Sequence, residues 1–259
     1  MLEISQLSKT FAAARADEAR VSVLEGVSFS IPKNQFVCLL GGSGCGKTTL
    51  IKIIAGLIEP DAGDIKVEGR AVKGSGADCS LVFQNYGLLP WRSVLGNVEL
   101  GLEIRGVARA QRRRVCREYI DRVGLTGFEN HYPHQISGGM QQRVGLARAL
   151  SKHPKILLMD EPFAAVDMQT REKLQEELLG IWWGNKTTVL FVTHSIEEAV
   201  YLGDRVMVMS ARPGRISADI ATELPRPRTD SDVKSSARFA EVQRSVRAAL
   251  KQAQTPVAA

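Results

Sequence analysis

The sequence predicts a doubly wound α/β fold, and three observations predict it. Five short apolar runs, at 36–40, 80–83, 156–159, 189–193 and 206–209, are continuous rather than alternating, the pattern of parallel strands covered on both faces. Between them lie stretches long enough for crossover helices, such as 48–57 and 169–179. A glycine-rich turn directly follows the first run and directly precedes a helical stretch.

Taken in chain order, the strand signal holds to about residue 83 and then disappears. From 85 to 153 the text is helical; the charged stretch 109–123 carries few β-branched residues. It reads as a helical insertion in the core. The strand pattern returns at 156 and continues through the run 206–209. After Glu223 the chain becomes rich in proline and arginine, Leu224-Pro225-Arg226-Pro227-Arg228. Phe239, Val242, Val246 and Leu250 then follow at spacings of three, four and four, one face of an amphipathic helix. Roughly 35 residues are too few for another independent domain. The expected organisation is therefore one domain over 1–222, with 85–153 inserted in it, and a tail over 223–259. No internal repeat interrupts this order.

Composition sets limits on function. The 259 residues are 44% hydrophobic and 24% charged, a globular balance that allows a sizeable core. The formal net charge of +6 is spread along the chain, with clusters at Gln111-Arg112-Arg113-Arg114 and around Arg226 and Arg228. Such clusters are ordinarily solvated faces; a surface facing an anionic membrane is an alternative, and a nucleic-acid stripe a weaker one. Cys38, Cys45, Cys79 and Cys116 lie far apart with no C-x-x-C pair, so neither a zinc site nor a disulfide framework is indicated and reduced thiols are expected. His131 and His134 flank Tyr132-Pro133 without further nearby ligands for a metal. No run approaches the roughly 18 apolar residues of a membrane span, and the start lacks the regions of a signal peptide. The chain is expected on the cytoplasmic side, with any membrane link made through a partner.

The turn itself, Gly41, Gly42, Ser43, Gly44, Cys45, Gly46, Lys47 and Thr48, matches G-x-x-x-x-G-K-[ST] between a strand and a helix. Glycines let the backbone wrap phosphates with its N–H groups pointing inward, and the following helix presents its positive end. Lys47 is expected to neutralise the β- and γ-phosphates of a nucleotide, Thr48 to offer its hydroxyl to Mg²⁺, and Thr49 to line the same loop. A dinucleotide loop is disfavoured, because Lys47 stands where G-x-G-x-x-G needs its third glycine.

A second chemical signal closes the run 156–159, where Asp160 and Glu161 follow the apolar residues. Carboxyl ends of parallel strands line the ligand crevice of such folds. Asp160 is expected to hold Mg²⁺ and Glu161 to position or deprotonate the attacking water. Alone, the pair would read as a solvated strand end. A phosphate loop upstream favours the catalytic reading.

Ile136-Ser137-Gly138-Gly139-Met140-Gln141-Gln142-Arg143 leads into a helical stretch at 144–150. Ser137 has the character of an N-cap, and Gly138 and Gly139 let the backbone approach an anion. By itself this is only a capped glycine loop. With the phosphate loop and the acidic pair it resembles the signature of ATP-binding-cassette proteins, and the resemblance covers about residues 2–222. It implies a P-loop NTPase core, mostly parallel with antiparallel strands near the N-terminus, carrying a helical subdomain.

The resemblance assigns further positions. Phe11 is similar to the aromatic that stacks on adenine, though by residue type alone it would be a core residue. Gln84, in Val82-Phe83-Gln84-Asn85, is similar to the glutamine that reaches Mg²⁺ and the water. Asp167, in Ala164-Ala165-Val166-Asp167, falls in what looks like the D-loop, with Ala165 and Val166 departing from its usual pattern. His194 is similar to the switch histidine at the γ-phosphate, and it alone of the four histidines ends a buried strand pattern. Ile136 and Met140 also depart from the signature, while Ser137, Gly138 and Gly139 are intact.

In this family two ATP molecules are sandwiched between two subunits, so one phosphate loop and one signature per chain imply pairing with a second copy. A subunit without its own span resembles importers, and Leu88-Leu89-Pro90-Trp91-Arg92 with the Ser-Gly-Gly-Met-Gln-Gln-Arg run looks like the nitrate, sulfonate and taurine group. Implied partners are integral-membrane permease subunits and, indirectly, an extracytoplasmic solute-binding protein; no nucleic acid is expected. Pro90 and Trp91 are either permease contacts or local packing. The implied place is the cytoplasmic face of the inner membrane. A non-transport cassette acting on DNA or ribosomes is the alternative; such relatives usually carry two cassettes or a long coiled-coil insertion.

Overall fold

The computed structural model describes residues 1–12, 20–72, 74, 78–164, 166–228 and 232–254. In chain order the elements are β1 (Leu2–Phe11), β2 (Val21–Ile31), β3 (Phe36–Gly41), α1 (Lys47–Ile54), β4 (Ala62–Val67), β5 (Arg70–Ala71) and β6 (Cys79–Val82). There follow α2 (Val94–Ile104), α3 (Arg109–Arg122), a 3₁₀ turn (Pro133–Gln135), α4 (Gly138–Leu150), β7 (Ile156–Asp160), α5 (Met168–Asn185), β8 (Thr188–Thr193) and α6 (Ile196–Leu202). The chain closes with β9 (Arg205–Met209), β10 (Ile216–Ala221), α7 (Asp232–Ser235) and α8 (Ala237–Gln254). It divides into two compact units, residues 1–76 with 188–259, and residues 77–187.

The first unit contains an antiparallel sheet in the order β2-β1-β4-β5. Leu2, Ile4 and Leu7 of β1 and Leu24, Val27 and Ile31 of β2 are buried, one covered face whose two-residue period is interrupted by the register shifts between Ile4 and Thr10. In the same unit β3 runs parallel to β8 on one side and to β9 on the other, and β10 pairs antiparallel with β9. All six residues of β3 and of β8 are buried, which is why these runs read as continuous rather than alternating. The expected helix at 48–57 ends at Ile54. Gly56, at φ 71, turns the chain back so that its N–H meets the Ile53 carbonyl at 2.9 Å and that of Leu57 meets Lys52 at 2.8 Å, a glycine-closed helix end.

The tail belongs to this unit. α8 packs on α6, β9 and β10 through Phe239, Val242, Val246 and Ala253, extending the amphipathic face three residues beyond Leu250. Arg226 pairs with Asp204 at 2.7 Å. Arg228 is 1% exposed and donates to the carbonyls of Tyr201 and Gly203, both at 2.8 Å. The proline-arginine run is thus a clamp on the carboxyl end of α6, where helix carbonyls lack partners.

In the second unit β6 and β7 pair in parallel, and α2, α3 and α4 pack on one another. The structure has no strand between 83 and 155, matching the helical reading of that stretch. α4 begins at Gly138, six residues earlier than the 144–150 stretch suggested, because the Ser137 hydroxyl accepts the Met140 N–H at 3.3 Å and caps it. All four cysteines are buried, and none is in a disulfide.

Candidate functional site

In the first unit the loop leaves β3 at Gly41 and enters α1 at Lys47. Its glycines are set by geometry. Gly44 and Gly46 sit at φ 74 and 102, the left-handed region that a side chain disfavours. A Cβ on Gly46 would come within 2.8 Å of Leu24 Cδ2 and 3.0 Å of the Val23 carbonyl, and one on Gly41 within 2.6 Å of Cys45 Sγ. Lys47 is buried, its Nζ donating to the carbonyls of Gly41 and Gly42 at 2.8 and 3.0 Å. Thr48 is exposed and Thr49 half-buried at the open end of α1. A loop of this shape, at a helix start with a lysine folded across it, fits a phosphate group.

Strand register brings His194 to the same place. Leu40 pairs with Thr193 across β3 and β8, so the exposed His194 leaves β8 beside Gly41. Thr193 Oγ1 accepts the Ser195 N–H at 3.0 Å and is held by Glu198, which fixes the backbone on the far side of the histidine. Phe11, 39% exposed, ends β1 opposite Val21 with the Lys9 ammonium 5.5 Å from its ring centre. It is not a core residue.

The second unit gathers the acidic and signature groups. Val82 pairs with Met159, so Gln84, Asp160 and Glu161 all emerge from the same end of the β6–β7 pair. Asp160 is 9% exposed. Glu161 stands at φ 46, a left-handed backbone that few residues other than glycine adopt. The Asp167 carboxylate caps α5, accepting the Thr170 N–H at 3.0 Å; that hydrogen bond, with help from the Thr170 side chain, holds its pKa below the ordinary value. Ala165, of the same run, lies outside the described residues. A Cβ on Gly139 would lie 3.8 Å from Thr170 Cγ2, so the capped starts of α4 and α5, with Ser137 and Asp167, stand side by side.

Two supporting residues escaped the sequence reading. Asn97, fully buried in α2, donates to the carbonyls of Leu89, Arg92 and Ser93 at 3.1, 2.9 and 3.1 Å and accepts the Leu89 N–H at 2.8 Å. It pins the loop that carries Pro90 and Trp91. Arg148 of α4 donates to the carbonyls of Tyr86 and Gly87 at 2.5 and 2.7 Å, holding the turn after Gln84, and its burial lowers its pKa. An asparagine amid Val94, Leu95 and Val98 was the available signal, since polar groups on an apolar helix face need partners.

Residues 24–164 match the model of the ABC transporter family. The chain belongs to that family. This ABC ATPase is 47% identical over 254 residues to the taurine import ATP-binding protein TauB of Rhizobium johnstonii, covering 96% of each chain. It is 46% identical to the nitrate import ATP-binding protein NrtD of Synechocystis, covering 86% of this chain and 83% of the relative. Among solved structures it is similar to a dimeric post-hydrolysis state of the ATP-binding cassette MJ0796 bound to ADP and Pi, with TM-score 0.74 and 31% identity over 85% of this chain and 98% of that one. The fold is the P-loop α/β fold of ABC ATPases.

Proposed function

We infer that this cassette is the ATP-hydrolysing subunit of an importer for a small anion of the taurine, sulfonate or nitrate class. The observation that carries the ATPase part is the loop from Gly41 to Thr48, with Lys47 folded over it at the start of α1. Likeness to taurine and nitrate import proteins along nearly the whole chain supports the transport part.

In this reading the first unit supplies the phosphate-binding groups, with Lys47 neutralising charge, Thr48 offering a metal ligand and His194 contacting the terminal phosphate. The second unit supplies Gln84 and Asp160 for Mg²⁺ and Glu161 for the water, the acid-base complement that hydrolysis needs. Mg²⁺, when bound, screens the phosphate charge. Each chain has one phosphate loop and one signature, so a second copy completes the site with Ser137 and Gly139. Among the described residues no helix is long and apolar enough to cross a membrane. Attachment to the cytoplasmic face of the membrane is therefore assigned to permease subunits, with an external binding protein choosing the cargo.

Affinity purification of the tagged chain from membranes tests this. Recovery of a permease, and ATP-dependent uptake of taurine, a sulfonate or nitrate by vesicles carrying the complex, is expected. Recovery of ribosomes or DNA with no membrane partner would overturn it.

A further inference from the structure

The tail after Glu223 has no part in the reading above, yet its last turn ends at the phosphate loop. Two contacts place it there. The Gln254 side-chain nitrogen lies 3.5 Å from the point a Cβ on Gly42 would occupy, so the amide covers that glycine. One residue earlier, the Ala253 carbonyl accepts the Ala211 N–H at 3.3 Å, which ties α8 to the turn between β9 and β10. That turn carries Arg212, whose Nη2 is 3.3 Å and Nε 3.9 Å from the corresponding point on Gly44. The turn is itself fixed: Gly214 exchanges backbone hydrogen bonds with Val23 and Glu25 at 2.9 and 3.1 Å. An open cleft bounded by Ser43, Gly44, Arg212, Gln252 and Gln254 lies between these parts.

We propose that Arg212 and Gln254 are positioning residues for the phosphate loop, and that α8 acts through them to set the affinity for ATP. Glycine has more backbone freedom to lose than any other residue. Of the loop's four glycines, Gly41 and Gly46 are already hemmed in by Cys45, Leu24 and Val23, and the other two, Gly42 and Gly44, are the ones that these side chains cover. Ordering a loop residue costs conformational entropy, and a loop ordered beforehand by its neighbours spares binding part of that cost. The gain falls on ground-state binding rather than on the chemical step, so it appears in KM. α8 can act in this way because its other end is anchored by Phe239, Val242 and Val246 and by the clamp at Arg228.

The inference rests on the loop being the ATP site. Four full-length variants, Arg212→Ala, Arg212→Lys, Gln254→Ala and, as control, Arg244→Ala on an exposed turn of the same helix, are compared with wild type. Three quantities are measured: affinity for a fluorescent Mg-ATP analogue, KM and kcat of hydrolysis, and melting temperature without nucleotide. Arg212→Ala and Gln254→Ala are each expected to weaken binding and raise KM about threefold to tenfold with kcat nearly unchanged, the pattern of lost uniform binding. Arg212→Lys, which keeps the stem and charge over Gly44, and Arg244→Ala are expected to bind like wild type, and melting to be unmoved. Wild-type affinity in both alanine variants overturns the proposal, as does a loss that Arg244→Ala shares or that tracks a fall in melting temperature. A wild-type chain that binds no ATP refutes instead the functional reading, and this inference with it.

Discussion

Arg228 and Tyr201 hold each other twice: the guanidinium donates to the Tyr201 carbonyl at 2.8 Å, and the Tyr201 hydroxyl donates to the Arg228 carbonyl at 2.6 Å. The same guanidinium serves Val200, Gly203 and Leu224, so one buried cation closes a helix end and ties the tail to it. Burial and the neighbouring Arg226 lower its pKa to about 10, still charged at neutral pH. Arg228→Ala leaves several buried carbonyls without a donor, and a loss of about 3 kcal/mol or more is expected in urea unfolding. A loss under about 1 kcal/mol would mean that water replaces the arginine and that the clamp is incidental.

Glu161→Gln separates binding from hydrolysis. The substitution keeps the side-chain shape and removes the base, so steady-state turnover is expected to fall about a hundredfold or more while ATP binding persists. Turnover at the wild-type rate would remove Glu161 from the water-activating role.

Gly46→Ala tests the cradle. The new methyl would stand at a left-handed φ against Leu24 and the Val23 carbonyl, at a cost of about 1–2 kcal/mol from the backbone alone. Nucleotide affinity and thermal stability are both expected to drop. Gly69→Ala carries a comparable φ with nothing within 4 Å, and should lower stability only modestly and leave affinity alone. Equal effects of the two on affinity would argue against a shaped loop.

How much of this the sequence revealed depends on the kind of signal. β3 and β8 were plain, because strands buried on both faces write unbroken apolar runs. Ser137 was legible as a cap, because the residue type and its place before a helix coincide. Asn97, Arg148 and Arg228 were not. Each is a polar residue whose ordinary place is the surface, and only the fold shows that its partners are backbone carbonyls, in the preceding loop for Asn97 and more than twenty residues away for Arg148 and Arg228. Leu224-Pro225-Arg226-Pro227-Arg228 stands out in composition, but its mechanical task depends on Asp204 and Tyr201, more than twenty residues upstream.

Trp91 is 71% exposed, so packing within the subunit does not explain it. Trp91→Ala is expected to leave the ATPase of the isolated subunit unchanged and to reduce recovery of the permease. Asn97→Leu frees the backbone groups of Leu89 and Arg92 and is expected to do both: destabilise by about 2 kcal/mol and weaken permease recovery. Full recovery with Trp91→Ala would show that the exposed indole is not the contact.

Asp61 offers a test in pH. The Lys9 ammonium at 2.7 Å and the Thr10 N–H at 2.7 Å hold its carboxyl below the ordinary value. The folded chain therefore takes up this proton less readily than the unfolded chain. Its contribution to stability is present above the unfolded pKa of about 3.9 and is lost as pH falls through the lower folded value. The difference in unfolding free energy between wild type and Asp61→Asn should be full at neutral pH and close in acid. A gap that widens toward acid would contradict the pairing.

The four buried thiols have a use beyond packing. Burial raises the pKa of Cys38, pushes Cys79 up to about 11 and pushes Cys116 up to about 12, and thiol reagents attack the thiolate. Cys38 lies in β3, Cys45 in the phosphate loop, Cys79 in β6 and Cys116 in α3, two in each unit. Alkylation followed residue by residue in a mass spectrometer would therefore time the opening of four separate places in an unlabelled wild-type chain, with Cys45 marking the moment the nucleotide loop lets go.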